Sequence, residues 1–384
     1  MRRSSARETL ELLVKSIDGV LNRRVRPGGD RLHVFGRRAL GGLRIVRALF
    51  GPFTFMGQVA RSSHNEVSCR PRLFLRPVET KARHYPRGTM LKIARLLSGF
   101  ALAALVVGGC AGQGGVPGKM WTWNRDFPPY RVIDNIYYVG SSEIAQFLIT
   151  TPAGHFLLDG GFEASVPRLR AEVAALGFRF EDIRFLLTSH AHIDHVQGDA
   201  LVRRLTGAAV VASARDGEVL AAGGRGETVY DGVYSWAPCP VDRVVADGDE
   251  LTLGGTTLTA HLTPGHTRGA VTWTMRVAAP EGGPAARRLD VVFFPSANVN
   301  AGVRLVGNVR YPEIARDFAR SFEIWKALPC DVFLGVHGSF YGMDSKRARQ
   351  RDGAARNPFI DPAGYRRFVA EADERFREQL ANER

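Results

Sequence analysis

From about residue 121 onward, apolar residues recur along the chain with two alternating periods. Short runs of Val, Ile, Leu and Phe, broken by Gly and Ser, predict strands over 132–139, 145–150 and 155–158. Residues 163–176 instead repeat at helical spacing, with Val166, Leu169, Val173 and Leu176 on one face, and the pattern stops at Gly177 as a helix does. A strand over 183–187, a helix over 195–205, a strand over 208–212 and a helix over 214–222 come next. Strands then dominate, at 241–245, 250–253, 256–262, 270–277 and 289–294. A helix over 311–328, a short buried strand at 331–335 and a closing helix over 362–380 complete the pattern. The closing helix gathers Tyr365, Phe368, Val369, Ala372, Phe376 and Leu380 into one stripe, which predicts a face turned to a core. Two strand-rich halves, each covered by helices, predict an α/β (α+β) fold: a four-layer αββα sandwich in one domain over 121–384.

A formal net charge of +14 first suggests a nucleic-acid binder. Its distribution removes that class. Residues 1–89 hold 19 Lys+Arg against 6 Asp+Glu, a net of +13, which leaves +1 for everything after them. Arginines interrupt nearly every apolar run in 1–89, so this stretch is expected to be a disordered, non-native upstream extension, with the biological start at Met90. Met90-Leu91-Lys92-Ile93-Ala94-Arg95 is a short basic stretch, followed by an apolar segment over 96–107 and then Gly108-Gly109-Cys110. That is the layout of a secretory signal, and its apolar part is shorter than the ~20 residues a transmembrane helix needs. Val107-Gly108-Gly109-Cys110 resembles the lipobox of bacterial lipoproteins. The resemblance implies a signal over 90–110, lipid on Cys110, attachment to a membrane, a periplasmic location and a flexible tether over 111–120. Of the four cysteines only Cys239 and Cys330 lie in the body, without the neighbours of a thiolate metal site, and both read as structural or idle.

The candidate chemistry is concentrated in His190-Ala191-His192-Ile193-Asp194-His195, which comes directly after the apolar run Phe185-Leu186-Leu187 and the turn-prone Thr188-Ser189. Imidazole and carboxylate suit a borderline ion such as zinc. Thr263-Pro264-Gly265-His266-Thr267 and Leu334-Gly335-Val336-His337-Gly338 each place a further His just past an apolar stretch, with Gly allowing a sharp turn. Three loops delivering His at strand ends predict a two-metal hydrolase. His155 and His261 sit among strand-like residues and read as structural.

These three motifs, in this order, resemble the metallo-β-lactamase superfamily over about 121–384, and that family's fold is the αββα sandwich. The branch is narrowed by the turn that ends the strand at 289–294. Pro295-Ser296-Ala297-Asn298 offers neither the bridging Asp of many superfamily hydrolases nor the Cys of two β-lactamase subclasses. Ser296 in that place, with His195 available, is similar to subclass B3. The resemblance implies two zinc ions, one on His190, His192 and His266 and the other on Asp194, His195 and His337. It implies opening of a small-molecule β-lactam by attack of a metal-bound hydroxide that Asp194 orients, with antibiotic resistance as the associated role. Ser296 would order water nearby. Ser339 would face the substrate, and with Phe340 and Tyr341 it either lines the pocket or packs as ordinary loop. No nucleic acid is implied, and a monomer is expected. Val196-Gln197-Gly198-Asp199 and Arg268 depart from the commoner family residues beside the pocket. A lactonase, thioesterase or other metallohydrolase on the same scaffold is the alternative.

Overall fold

The computed structural model of the protein describes residues 118–280 and 287–384. The expectations for 1–89, for the signal at 90–110 with Cys110, and for the tether up to residue 117 lie outside the described residues. A 3-10 helix at Gly118–Asn124 opens the described chain, so the last three positions read as tether are already in a helical turn.

Among the described residues, the strands fall into two sheets that divide the sequence cleanly. β1 (Tyr130–Ile133), β2 (Ile136–Tyr138), β3 (Phe147–Thr151), β4 (Gly154–Leu158), β5 (Ile183–Leu187), β6 (Ala209–Ser213) and β7 (Arg243–Val245) lie side by side in chain order. β1 to β4 form an antiparallel meander, and β4 to β7 are parallel. The second sheet contains β8 (Glu250–Leu253), β9 (Thr256–Leu262), β10 (Val271–Ala278), β11 (Arg288–Phe294) and β12 (Val332–Gly335), in the order β12-β11-β10-β9-β8. The described helices are α1 (Val166–Ala175), α2 (Ile193–Val196), α3 (Asp199–Thr206), α4 (Ala214–Ala221), α5 (Ile314–Ala327), α6 (Met343–Arg351) and α7 (Pro362–Asn382). β11 and β12 pair in parallel because α5 carries the chain back between them.

Both faces of the central strands are covered, which explains their unbroken apolar runs. Alternate side chains point to opposite faces. Phe147 of β3 meets Phe293 of β11 at 5.3 Å between ring centroids, across the space between the sheets. Their neighbours point outward: Leu148 joins Leu157, Leu186 and Val210 against Leu169 and Val173 of α1. On the opposite outer face, Phe294 meets Trp325 of α5 at 4.5 Å and Phe368 of α7 at 5.2 Å. The layers are therefore helix, sheet, sheet, helix. Cys239 and Cys330 are both free and pack in different apolar clusters.

Four local expectations differ from the structure. The single strand predicted over 132–139 is a hairpin, because Asp134 takes a positive φ of 43° and Ile133 pairs with Ile136. The helix predicted over 195–205 is two helices, α2 and α3, separated at Gln197 and Gly198. There Gly198 donates to the Gly161 carbonyl at 2.7 Å, and a Cβ on Gly198 would stand 2.5 Å from the Gly160 carbonyl oxygen. The helix expected from 311 begins at Ile314, since Pro312 disfavours helical geometry at Tyr311. Helix α6 has no counterpart in the sequence pattern; it buries only Met343 and Lys346 and so has no apolar stripe to read.

Candidate metal centre

Each histidine motif leaves the end of a strand where the two sheets meet. Past β5, the Ser189 carbonyl accepts from the Val271 amide at 2.8 Å, so the chain bridges from the first sheet to the second just before His190. Trp273 Nε1 donates to the Thr188 carbonyl at 3.1 Å in the same seam. Past β9, Gly265 has a φ of 143°, and a Cβ there would lie 2.6 Å from the Phe318 ring. Only a residue without a side chain turns so closely over α5 to deliver His266. Past β12, the Ala145 amide donates to Val336 and the Gly338 amide to Glu143, both at 2.8 Å, which clamps His337 to the first sheet.

This convergence brings all six sequence-predicted ligand residues together in two groups. His190, His192 and His266 form one, and Asp194, His195 and His337 the other; within each, the potential ligand atoms lie within 4.8 Å of one another. Both could hold a metal ion. His190 and His266 rings are 4.8 Å apart and His192 and His266 rings 4.6 Å. Asp194 Oδ2 lies 3.4 Å from His195 Nε2 and 3.6 Å from His337 Nε2.

The remaining nitrogens are held from behind, which fixes which one faces the site. Ser189 Oγ donates to Asp159 Oδ2 at 2.7 Å and lies 3.2 Å from His190 Nδ1, leaving Nε2 forward. His266 Nδ1 donates to the Asn298 carbonyl at 2.7 Å. His195 Nδ1 lies 3.2 Å from Asp159 Oδ2, and His337 Nδ1 lies 3.7 Å from Glu143 Oε1. His192 is reversed: its Nε2 lies 3.4 Å from Glu227 Oε1, which leaves Nδ1 to the site.

Burial dominates the electrostatics. It pushes His190 far below the usual imidazole range, with His195 and the other rings adding to it. Burial and His192 hold His266 down at about 3, and burial and His195 hold His337 at about 4. These are neutral imidazoles, the form that binds metal. His195 goes the other way: burial would lower it, but the Asp194 carboxylate and Asp159 raise it to about 10. Burial would raise Asp194, yet His195 and His337 outweigh it and hold the carboxyl well below its ordinary range.

Two buried carboxylates outside the predicted set build the frame. Asp216 Oδ2 accepts from the Ala191 amide at 2.8 Å and from Thr267 Oγ1 at 2.7 Å, tying the first histidine loop to the second. Asp159 has a φ of 62°, unusual for a non-glycine residue, and also accepts from the Ser189 amide at 2.8 Å. The predicted Ser296 is buried and accepts from the Asn298 amide at 3.3 Å, so it shapes the loop whose carbonyl holds His266. Ser339 is exposed, with its amide and hydroxyl on Glu143. Phe340 lies 5.1 Å from the His337 ring, whereas Tyr341 is a core residue against Phe333. Gln197 accepts from the Glu163 amide and Asp199 from the Gly160 amide, so these departures serve packing. Arg268 lies over the Tyr311 ring.

Comparison with known proteins now gives the family. The metallo-β-lactamase superfamily model matches residues 143–277. The FEZ-1 metallo-β-lactamase of Legionella gormanii is 38% identical, with a TM-score of 0.65, over 68% of this chain and 98% of that one. BJP-1, a subclass B3 metallo-β-lactamase of Bradyrhizobium japonicum, is 40% identical, with a TM-score of 0.63, over 69% and 98%. The chain belongs to the metallo-β-lactamase superfamily. Its resemblance to subclass B3 extends through these solved structures. A hydroxyacylglutathione hydrolase of Brucella anthropi is 32% identical over 136 residues, 34% of this chain and 45% of that protein. The chain thus spans about half the length of the curated relatives it matches.

In this superfamily member the least readable segment was the stretch between α4 and β7. It supplies Glu227 and the ring of Tyr230, 5.3 Å from His192, with Tyr234 behind it at 5.3 Å. Its composition is that of a Gly-rich loop with interspersed aromatic residues, Tyr230, Tyr234 and Trp236. Of its three acidic residues, Glu227, Asp231 and Asp242, nothing in the sequence singles out Glu227. Asp159 was signalled only by a charged residue closing a buried strand. His155 and His261 lie away from the centre, against Phe178 and Thr274.

Proposed function

We propose that this protein is a zinc-dependent hydrolase that opens β-lactam rings, with one ion on His190, His192 and His266 and another on Asp194, His195 and His337. The observation that carries the reading is the pair of triads at the joint of the two sheets, with His190, His192 and His266 each backed by a protein oxygen and His195 Nδ1 3.2 Å from Asp159 Oδ2. The donor set fits zinc: imidazole nitrogen and carboxylate oxygen, gathered in two groups of three. Bound zinc supplies a water acidified to near pH ~7 and a Lewis acid for developing negative charge.

The chain's own residues do the rest. Asp194, the carboxylate of the second group, would orient an attacking water by accepting a hydrogen bond from it. Asp216 and Asp159 keep the ligand loops in register, so little reorganisation is needed when substrate arrives. Tyr230 and Tyr234 offer an aromatic wall beside His192 for the body of a small-molecule substrate. Similarity to solved β-lactamases at 34–40% identity supports the β-lactam reading. The alternative, a thioesterase or lactonase, is favoured by the hydroxyacylglutathione hydrolase relative. Against it stands the turn after β11, where Pro295-Ser296-Ala297-Asn298 holds no carboxylate.

The test is turnover of a chromogenic cephalosporin and a carbapenem by the purified protein, with zinc and after chelation. Chelator-sensitive hydrolysis of both supports the proposal. A zinc-loaded protein that leaves both intact while cleaving a thioester or lactone establishes the alternative.

A further inference from the structure

Glu227 is buried, although it lies in the loop between α4 and β7. Its Oε2 accepts from the amides of Val229, at 2.8 Å, and Tyr230, so the carboxylate is fixed by its own loop. The hydroxyl of Thr228 donates to Oε1 at 3.2 Å. The same Oε1 lies 3.4 Å from His192 Nε2. The fixed carboxylate therefore faces the edge of the His192 imidazole.

An anion there selects one tautomer. It favours the proton on Nε2, which leaves the Nδ1 lone pair for a ligand, and it makes that nitrogen more basic. His190 and His266 are turned the other way, with Nδ1 held behind and Nε2 forward. His192 therefore depends on a partner that the others do not use. The partner sits on the loop that also carries the Tyr230 ring, so one side chain couples the pocket wall to the ligand.

We propose that Glu227 is a positioning residue of the first metal site: it holds His192 as an Nδ1 ligand and fastens the aromatic loop to that site. This rests on the two-zinc reading above. Glu227→Gln tests it with little disturbance, because the amide oxygen still accepts from Val229 and Tyr230 while its NH₂ favours the wrong tautomer of His192. Glu227→Ala removes the partner altogether.

The first readout is zinc affinity by chelator competition on the full-length protein. The expected loss is about 10–100-fold at one site in both variants, with the other site unchanged. The second is the two-bond ¹H–¹⁵N spectrum of imidazole-labelled, zinc-loaded protein. One metal-bound histidine of the parent should carry its proton on Nε2, and that signal should move or vanish in Glu227→Gln while circular dichroism is unchanged. A parent that binds zinc at two sites, with affinities and imidazole signals that survive both substitutions, overturns the role of Glu227 alone. A parent that binds no zinc overturns the functional reading and this inference with it.

Discussion

Replacing Asp216 by alanine should damage the protein more than the loss of one polar side chain suggests. Its Oδ2 takes the Ala191 amide at 2.8 Å and the Thr267 hydroxyl at 2.7 Å, and the carboxyl is buried. Truncation leaves two donors in a water-poor site. Each stranded donor costs about 1–3 kcal/mol, and relief from burying a carboxylate offsets part of that, so a net loss of about 2–4 kcal/mol is expected. That is a large fraction of the ~5–15 kcal/mol that holds a typical domain together. Asp216→Asn keeps an oxygen in the same place and should lose about 1 kcal/mol or less. Urea unfolding of the metal-free protein measures both, and zinc content at fixed free zinc reports whether the two histidine loops still meet. An alanine variant that loses under about 1 kcal/mol, or an asparagine variant as damaged as alanine, would refute the idea that this carboxylate ties the loops together.

Four further outcomes are expected. His192→Ala should remove most turnover and lower zinc content, with far-ultraviolet circular dichroism unchanged; full activity would mean that the assigned centre is wrong. Gly265→Ala should lower the melting temperature by an amount corresponding to about 1–3 kcal/mol, because the new methyl meets the Phe318 ring at 2.6 Å. Glu172 is raised from 4.5 to about 8, by burial first and against the pull of Arg168. Its folded form holds a proton that the unfolded chain has released, so stability should fall as pH rises from about 4.5 to about 8. Glu172→Gln should flatten that slope, and urea titrations across the range would reveal a parent that instead gains stability. Finally, mass analysis of the protein from its native host should find a lipid-modified N-terminus at Cys110, and peptides from 1–89 would contradict the expected start.

The parts of this structure that could be read in advance are those where one physical signal dominates. β5, β8 and β9 fall on their predicted residues because short apolar runs between turn formers leave little choice. The six candidate ligands were legible because imidazole is uncommon and its placement after strands is informative. What escaped depends on partners distant in sequence. The break between α2 and α3 comes from the approach of the Gly160–Gly161 backbone, which no local pattern around residue 197 announces. Helix α6 is largely charged, and its existence is set by tertiary docking of Met343 and Lys346. Glu227, Asp216 and Asp159 are ordinary acids until the fold brings a histidine or a histidine loop against them.

The seam between the sheets has one more consequence. His195 and His337 are 142 residues apart, yet their Nε2 atoms lie 3.3 Å from each other. An ion shared by them would act as a cross-link between chain segments that leave different sheets. In the chain-entropy account, a covalent tie closing a 100-residue loop is worth about 4.7 kcal/mol, and a metal clip works on the same part of the unfolded ensemble. The proposed reaction centre would therefore also be a removable staple. In surroundings poor in zinc the protein would lose its chemistry and loosen at the same joint, opening the strand ends around that centre to proteases.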